Sequence, residues 1–153
     1  MNEKEILSVL KLIFEKIKNG EKITWRLEGS SNLKLQGIDV KVSDVDIVVD
    51  KKGYELFRTA LREYVVEERY IESKKEKSIS CKIKSFDAEI LCYDDAKLNM
   101  FAKIKILESE DMKIKILPLD HARDFYKMIG KDEKVRIIDS YLGKSILQKT
   151  TFK

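Results

Sequence analysis

Two aspartates, Asp44 and Asp46, stand two positions apart in a segment that is otherwise mostly apolar. Because side chains alternate across a β-strand, both carboxylates project from one face, while Val45, Ile47 and Val49 form an apolar opposite face. Adjacent carboxylates in a largely buried strand repel each other and lose hydration, so a proton or a cation must neutralise them. A hard divalent ion with oxygen ligands meets this need, and Mg²⁺ suits a substrate that carries phosphates.

A second chemical signal, Gly29 followed by Ser30, ends a predicted strand over residues 23–28. Glycine at a strand end lets the backbone approach a ligand closely. A helix that begins at the serines would direct free N–H groups and its dipole at an anion such as phosphate. A phosphate cradle beside a metal-binding Asp-x-Asp strand predicts a nucleotide site.

Hydrophobic periodicity predicts the elements that position these residues. The predicted helices cover residues 3–18, 30–36, 54–65, about 95–107, 118–130 and 131–142. The predicted strands are 23–28, the aspartate strand, 69–71, 79–83, 86–92 and 112–117, with a charged loop over 72–78. Asn19-Gly20 is a typical helix stop, and Lys84-Ser85 is the predicted tight turn of a β-hairpin.

The composition excludes several classes of protein. With 153 residues, 38% charged and 43% apolar, the chain is predicted to form a single globular domain over 1–153. It has no apolar run near the roughly 20 residues of a membrane span, and its N-terminus does not resemble a secretory signal, so we expect a cytoplasmic protein without a membrane partner. Cys81 and Cys92 lack CxxC spacing and are expected to be reduced and buried. Their pattern and the single His121 argue against a zinc site.

Gly29-Ser30 followed by Asp44-Val45-Asp46-Ile47 resembles the signature of the nucleotidyltransferases of the DNA polymerase β superfamily. In that family a Gly-Ser follows the first strand, and the second strand carries an Asp-x-Asp between apolar residues. The spacing between the two motifs is similar to that of the small aminoglycoside-nucleotidyltransferase-like branch. The resemblance implies an α/β (α+β) nucleotidyltransferase fold, with a mixed central sheet flanked by helices.

The resemblance also implies a third carboxylate, which the family supplies from a strand next to the Asp-x-Asp strand. Glu89, deep in the predicted strand 86–92, is the first choice, and Asp87, nearer the turn, is the alternative. The family usually has aspartate at this position. Asp44, Asp46 and Glu89 are therefore the predicted catalytic and metal-binding residues.

A weaker resemblance lies near the C-terminus, where Tyr126-Lys127, Gly130-Lys131-Asp132 and Asp139 are similar to the closing helices of aminoglycoside-type nucleotidyltransferases. By that analogy Lys127 reaches the phosphates of the nucleotide, together with Gly29 and Ser30. The alternative is an ordinary solvated lysine on a helix.

These resemblances imply a metal-dependent nucleotidyltransferase that moves a nucleoside monophosphate from a nucleoside triphosphate to an acceptor hydroxyl, using one or two Mg²⁺ ions. The acceptor stays open among a small alcohol, a protein hydroxyl and an RNA end. A run of lysines over residues 74–84 allows RNA without indicating it, since such runs are usually solvated faces. The alternative is an inactive module of the same fold that binds a protein partner, as an antitoxin does.

Overall fold

The computed structural model describes residues 1–17 and 22–151, with only the backbone for 144–151. The described helices are α1 (Glu3–Lys16), α2 (Gly29–Leu35), α3 (Lys51–Ala60), α4 (Leu119–Met128) and α5 (Asp132–Thr151). The described strands are β1 (Trp25–Glu28), β2 (Asp44–Val49), β3 (Val65–Ile71), β4 (Glu76–Ile83), β5 (Phe86–Tyr93), β6 (Lys105–Ser109) and β7 (Met112–Ile116).

Five of the strands form a mixed sheet in the order β1-β2-β5-β4-β3. β2 and β5 are parallel, whereas the β1–β2, β5–β4 and β4–β3 pairs are antiparallel. β6 and β7 form a separate antiparallel hairpin, and β7 lies close to β1. The predicted fold class, a mixed sheet flanked by helices, is confirmed.

The two faces of the sheet bury different clusters of apolar side chains. Val45, Ile47 and Val49 of β2 pack into the larger cluster with residues of α1 and α3, as their alternation predicted. On the other face, the smaller cluster joins the sheet to α2, α4 and α5; its sheet members are Val48, Leu91 and Tyr93. Asp44 and Asp46 share this second face, so they lie beside the helices that cover it.

A buried side-chain clamp fixes the C-terminal helices to the start of the sheet. Asn32 of α2 donates from Nδ2 to the carbonyl of Leu117 at 2.9 Å and accepts from the Leu117 amide at 3.0 Å. Pro118 follows and leads into α4, as predicted from its fixed φ. The clamp therefore holds α2 against the entry to α4 and α5.

The β4–β5 hairpin, which carries Glu89, is confirmed. Its turn residues Lys84 and Ser85 both have positive φ, 51° and 69°, the conformation that matches the right-handed twist of the paired strands. Residues 76–78, predicted as loop, belong to β4, because they pair with β5 along its full length. Cys81 and Cys92 are free and buried, as expected.

Three of the predicted helices differ from the structure. The predicted helix over about 95–107 is two short 3₁₀ turns followed by β6, because Met100 adopts a left-handed φ of 52° and residues 105–109 pair with β7. The predicted helix 54–65 ends at Ala60, and Val65 already begins β3. The last helix continues beyond residue 142 to Thr151. The predicted Asn19-Gly20 stop lies outside the described residues.

Over residues 1–17 and 22–151, every helix falls short of the combined length and apolar character needed to cross a bilayer.

Candidate functional site

Three carboxylates meet where the parallel strands β2 and β5 run side by side. Asp46 is the register partner of Glu89, and Asp44 lies opposite Asp87. Asp44, Asp46 and Glu89 each offer one oxygen, and these oxygens lie within 4.8 Å of one another. Asp87 instead pairs with Lys82 at 2.7 Å, and its side chain is 61% exposed. The geometry thus brings Glu89, and not Asp87, to the Asp-x-Asp pair.

The electrostatics of this carboxylate group favour a cation. Burial raises the pKa of Asp46 well above its usual range, and the charges of Asp44, Glu28 and Glu89 raise it further. Burial is also the main cause of the raised pKa of Glu89. The Oδ1 atom of Asp46 is buried without a hydrogen-bond partner. A buried acceptor with no donor, inside a cluster of hard oxygen ligands, fits a divalent ion such as Mg²⁺.

Gly29 brings the first turn of α2 directly against the carboxylate group. Its φ is +73°, and a Cβ built at this position would lie 2.6 Å from Oδ2 of Asp46. Glycine is therefore required here for two reasons: the backbone is left-handed, and a side chain would have no room beside the carboxylate. The next residue, Ser30, lies in the same first turn of α2.

A lysine other than the predicted Lys127 contacts Ser30. Lys127 is exposed on α4, where its charge helps Arg123 to lower the pKa of Asp139. Among the hydrogen bonds and ion pairs of the described side chains, none joins Lys127 to Ser30 or to the carboxylates. Lys134 of α5 donates from Nζ to Oγ of Ser30 at 2.7 Å. The Gly130-Lys131-Asp132 pattern pointed to this region, but Lys134 stands one helical turn further on.

A buried ionic network lies beside the carboxylate group on the same face of the sheet, and no sequence pattern predicted it. Glu28, the register partner of Asp46, accepts from Arg26 Nη2 at 3.1 Å and from the Tyr93 hydroxyl at 2.7 Å. Arg26 is fully buried and also donates to the carbonyls of Leu98 and Asn99. Because both of its oxygens are held, Glu28 contributes a fixed negative charge beside Asp46.

A cation approaches the carboxylate group from the far edge of the sheet. Arg69 of β3 places Nη2 3.5 Å from Oε1 of Glu89. Glu76 of β4 is half-buried nearby; burial raises its pKa, and the charges of Glu28 and Glu89 add to the effect. The site is therefore acidic at its centre, with Lys134 on one side and Arg69 on the other.

Comparison with known proteins adds independent information. No family model matches the chain, and neither does any curated protein sequence. Among solved structures, a presumed nucleotidyltransferase from Thermotoga maritima is 28% identical, with a TM-score of 0.72 over 94% of this chain and 96% of that one.

Two further solved structures share the fold. The lincosamide antibiotic adenylyltransferase LnuA, bound to lincomycin, is 13% identical with a TM-score of 0.60, covering 92% of this chain and 98% of that one. ANT(2″)-Ia in complex with adenylyl-2″-tobramycin is 10% identical with a TM-score of 0.57, covering 95% and 93%. At the level of fold, these matches confirm the resemblance to the aminoglycoside-nucleotidyltransferase-like branch.

Proposed function

We propose that this chain, a member of the nucleotidyltransferase superfamily, transfers a nucleoside monophosphate from a nucleoside triphosphate to an acceptor hydroxyl in a metal-dependent reaction. The observation that carries the proposal is the carboxylate group of Asp44, Asp46 and Glu89, with its buried, unpartnered oxygen. A structural ion-pair network would have supplied that oxygen with a donor. The proposal includes one domain over residues 1–153, acting in the cytoplasm.

Asp44, Asp46 and Glu89 would hold one or two Mg²⁺ ions. Bound there, the metal would neutralise charge on the triphosphate and stabilise the oxygens that attack and leave. The carboxylates themselves fix the metal in place, because two belong to one strand and the third to its parallel neighbour. The rigid sheet therefore supplies the positioning on which phosphoryl-type transfer depends.

The other roles at the reacting phosphorus are phosphate binding and proton transfer. Lys134 and Ser30, already joined by a hydrogen bond, would bind the phosphates that leave as pyrophosphate. The acceptor oxygen forms a bond to the α-phosphorus as the bond from that phosphorus to the bridging oxygen of the β-phosphate breaks. The acceptor proton would pass to whichever carboxylate of the group lies nearest, since a carboxylate within hydrogen-bond reach can act as the base.

Two relatives of the same fold suggest where to begin with substrates. One is an adenylyltransferase, and the other is bound to an adenylylated product. ATP is therefore the first nucleotide to test, and hydroxyl-bearing small molecules are the first acceptors to screen. RNA ends and protein hydroxyls complete the screen.

The direct test is calorimetric titration of Mg²⁺ and ATP into the native protein and into the double variant Asp44→Asn/Asp46→Asn. We expect metal-dependent ATP binding by the native protein and its loss in the double variant. Absence of binding by the native protein would contradict the proposal. It would favour the alternative, a module of this fold that acts by binding a protein partner.

A second prediction separates the two lysines. Lys134→Met should weaken ATP binding in the presence of Mg²⁺ by about tenfold, because it removes a charged donor to the phosphates. Lys127→Met is the matched control and should change the affinity by less than about twofold, because Lys127 is exposed on α4, where its charge acts on Asp139 of α5. Titration calorimetry on both variants checks the prediction, and equal losses would contradict it.

A further inference from the structure

Arg69 occupies a position from which it can respond to metal. It lies on β3, the edge strand, and pairs in register with Ser78 of β4. Its guanidinium reaches across β4 to Glu89, with Nη2 3.5 Å from Oε1. A second, looser approach joins its Nε to Glu67 at 3.9 Å. The arginine thus spans from the edge of the sheet to one of the three clustered carboxylates.

Two other cations near the site already have partners. Arg26 is held by Glu28 and by the backbone carbonyls of Leu98 and Asn99. Lys134 donates to Ser30. Within residues 1–17 and 22–143, the three clustered carboxylates make one ion pair, which joins Glu89 to Arg69. Among the described side chains, Arg69 is therefore the cation that is ion-paired with this group.

The Arg69 side chain can leave Glu89 without disturbing the core. It is 47% exposed, whereas the side chain of Glu89 is 23% exposed. The nitrogen–oxygen distance of 3.5 Å is also longer than that of a well-formed charged hydrogen bond. An arginine held this loosely at the rim of the site can be displaced at small cost.

We propose that Arg69 is a built-in counter-cation of Glu89, which a divalent metal displaces when it binds to the carboxylate group. This inference rests on the proposed function, because it concerns the same metal site. Arg69 orients the Glu89 carboxylate in the metal-free protein, and it competes with the metal for the same oxygen. It is a positioning residue and lowers the affinity of the site for metal.

The test is the affinity for Mg²⁺ alone, measured by calorimetry without nucleotide or acceptor. Arg69→Gln should bind Mg²⁺ about two- to fivefold more tightly than the native protein, the size expected for a partly exposed ion pair. Arg69→Lys, which keeps the charge, should bind close to the native value. Arg58→Gln is the matched control, because Arg58 pairs with Glu68 beside the same edge strand and away from the carboxylates. It should leave the affinity unchanged.

The outcomes separate this inference from the proposed function. If the native protein binds Mg²⁺ and Arg69→Gln binds it equally or more weakly, the competition is overturned while the metal site stands. If only Arg69→Gln binds Mg²⁺, the competition is supported in its strongest form. If neither protein binds Mg²⁺ alone, the competition is overturned, and the titration of Mg²⁺ together with ATP decides the proposed function separately.

Discussion

Asp46→Asn should reduce turnover by on the order of a thousandfold and, in the same protein, raise the melting temperature of the metal-free form. The loss follows because a neutral amide holds Mg²⁺ far less well than a carboxylate, and the metal supplies several kcal/mol of stabilisation to the reaction. The gain follows because burial and neighbouring carboxylates raise the pKa of Asp46. Above that raised pKa the folded protein bears a charge that the surroundings disfavour.

The sign of the pH dependence can be worked out. Because its pKa is higher in the folded protein than in the unfolded chain, Asp46 binds its proton more tightly in the folded state. Its contribution to stability is therefore present at acid pH and is lost as the pH rises through the raised pKa. The Asp46→Asn variant has no such loss, because an amide does not titrate. A gain of about 1 kcal/mol would shift the melting temperature by about 2–4 °C for a chain of this size.

Scanning calorimetry of the metal-free proteins between acid and neutral pH checks the predicted rise in melting temperature. Product formation from ATP checks the predicted loss of turnover. Asp87→Asn is the matched control, because Asp87 is an exposed carboxylate of the neighbouring strand β5, paired with Lys82. It should change both quantities little. Added Mg²⁺ should stabilise the native protein and not Asp46→Asn. Native turnover by the Asp46→Asn variant would contradict the assignment of Asp46 to the metal site.

Gly29→Ala should reduce turnover and Mg²⁺ binding by about a hundredfold, the scale of a catalytic group displaced by about 1 Å. The added Cβ would lie 2.6 Å from Oδ2 of Asp46, which is closer than real Cβ contacts come. The backbone φ of +73° adds strain for any residue with a Cβ. Either α2 or the Asp46 carboxylate must move, and each of them belongs to the proposed site.

Gly130→Ala is a closely matched control for this variant. Gly130 has nearly the same φ, +74°, but a Cβ at that position meets no atom within 4 Å. Gly130→Ala should therefore incur the backbone strain, about 1 kcal/mol of stability, and retain turnover. Measured together by thermal unfolding and by product formation, the pair separates strain from the clash. Equal turnover in the two variants would show that the clash at Asp46 is unimportant.

The sequence by itself determined the parts of this protein that depend on short-range rules. Strand alternation placed Asp44 and Asp46 on one face and their apolar neighbours in the core. A turn between two alternating segments predicted the hairpin that carries Glu89. The mixed sheet flanked by helices was predicted through the family resemblance. Each of these inferences concerns residues close in sequence, or a pattern that local residues carry.

Only the tertiary structure decided the features that join distant segments. Residues 105–109 form a strand because β7 pairs with them, although their apolar spacing also suited a helix. Arg26 and Glu28 alternate with apolar residues, a pattern typical of a solvated strand face, but Tyr93 and the α4 side chains cover that face and make the pair buried. Lys134 reaches Ser30, and Arg69 reaches Glu89, across long stretches of chain. Periodicity describes which face a side chain occupies, whereas packing alone determines which distant residue it meets there.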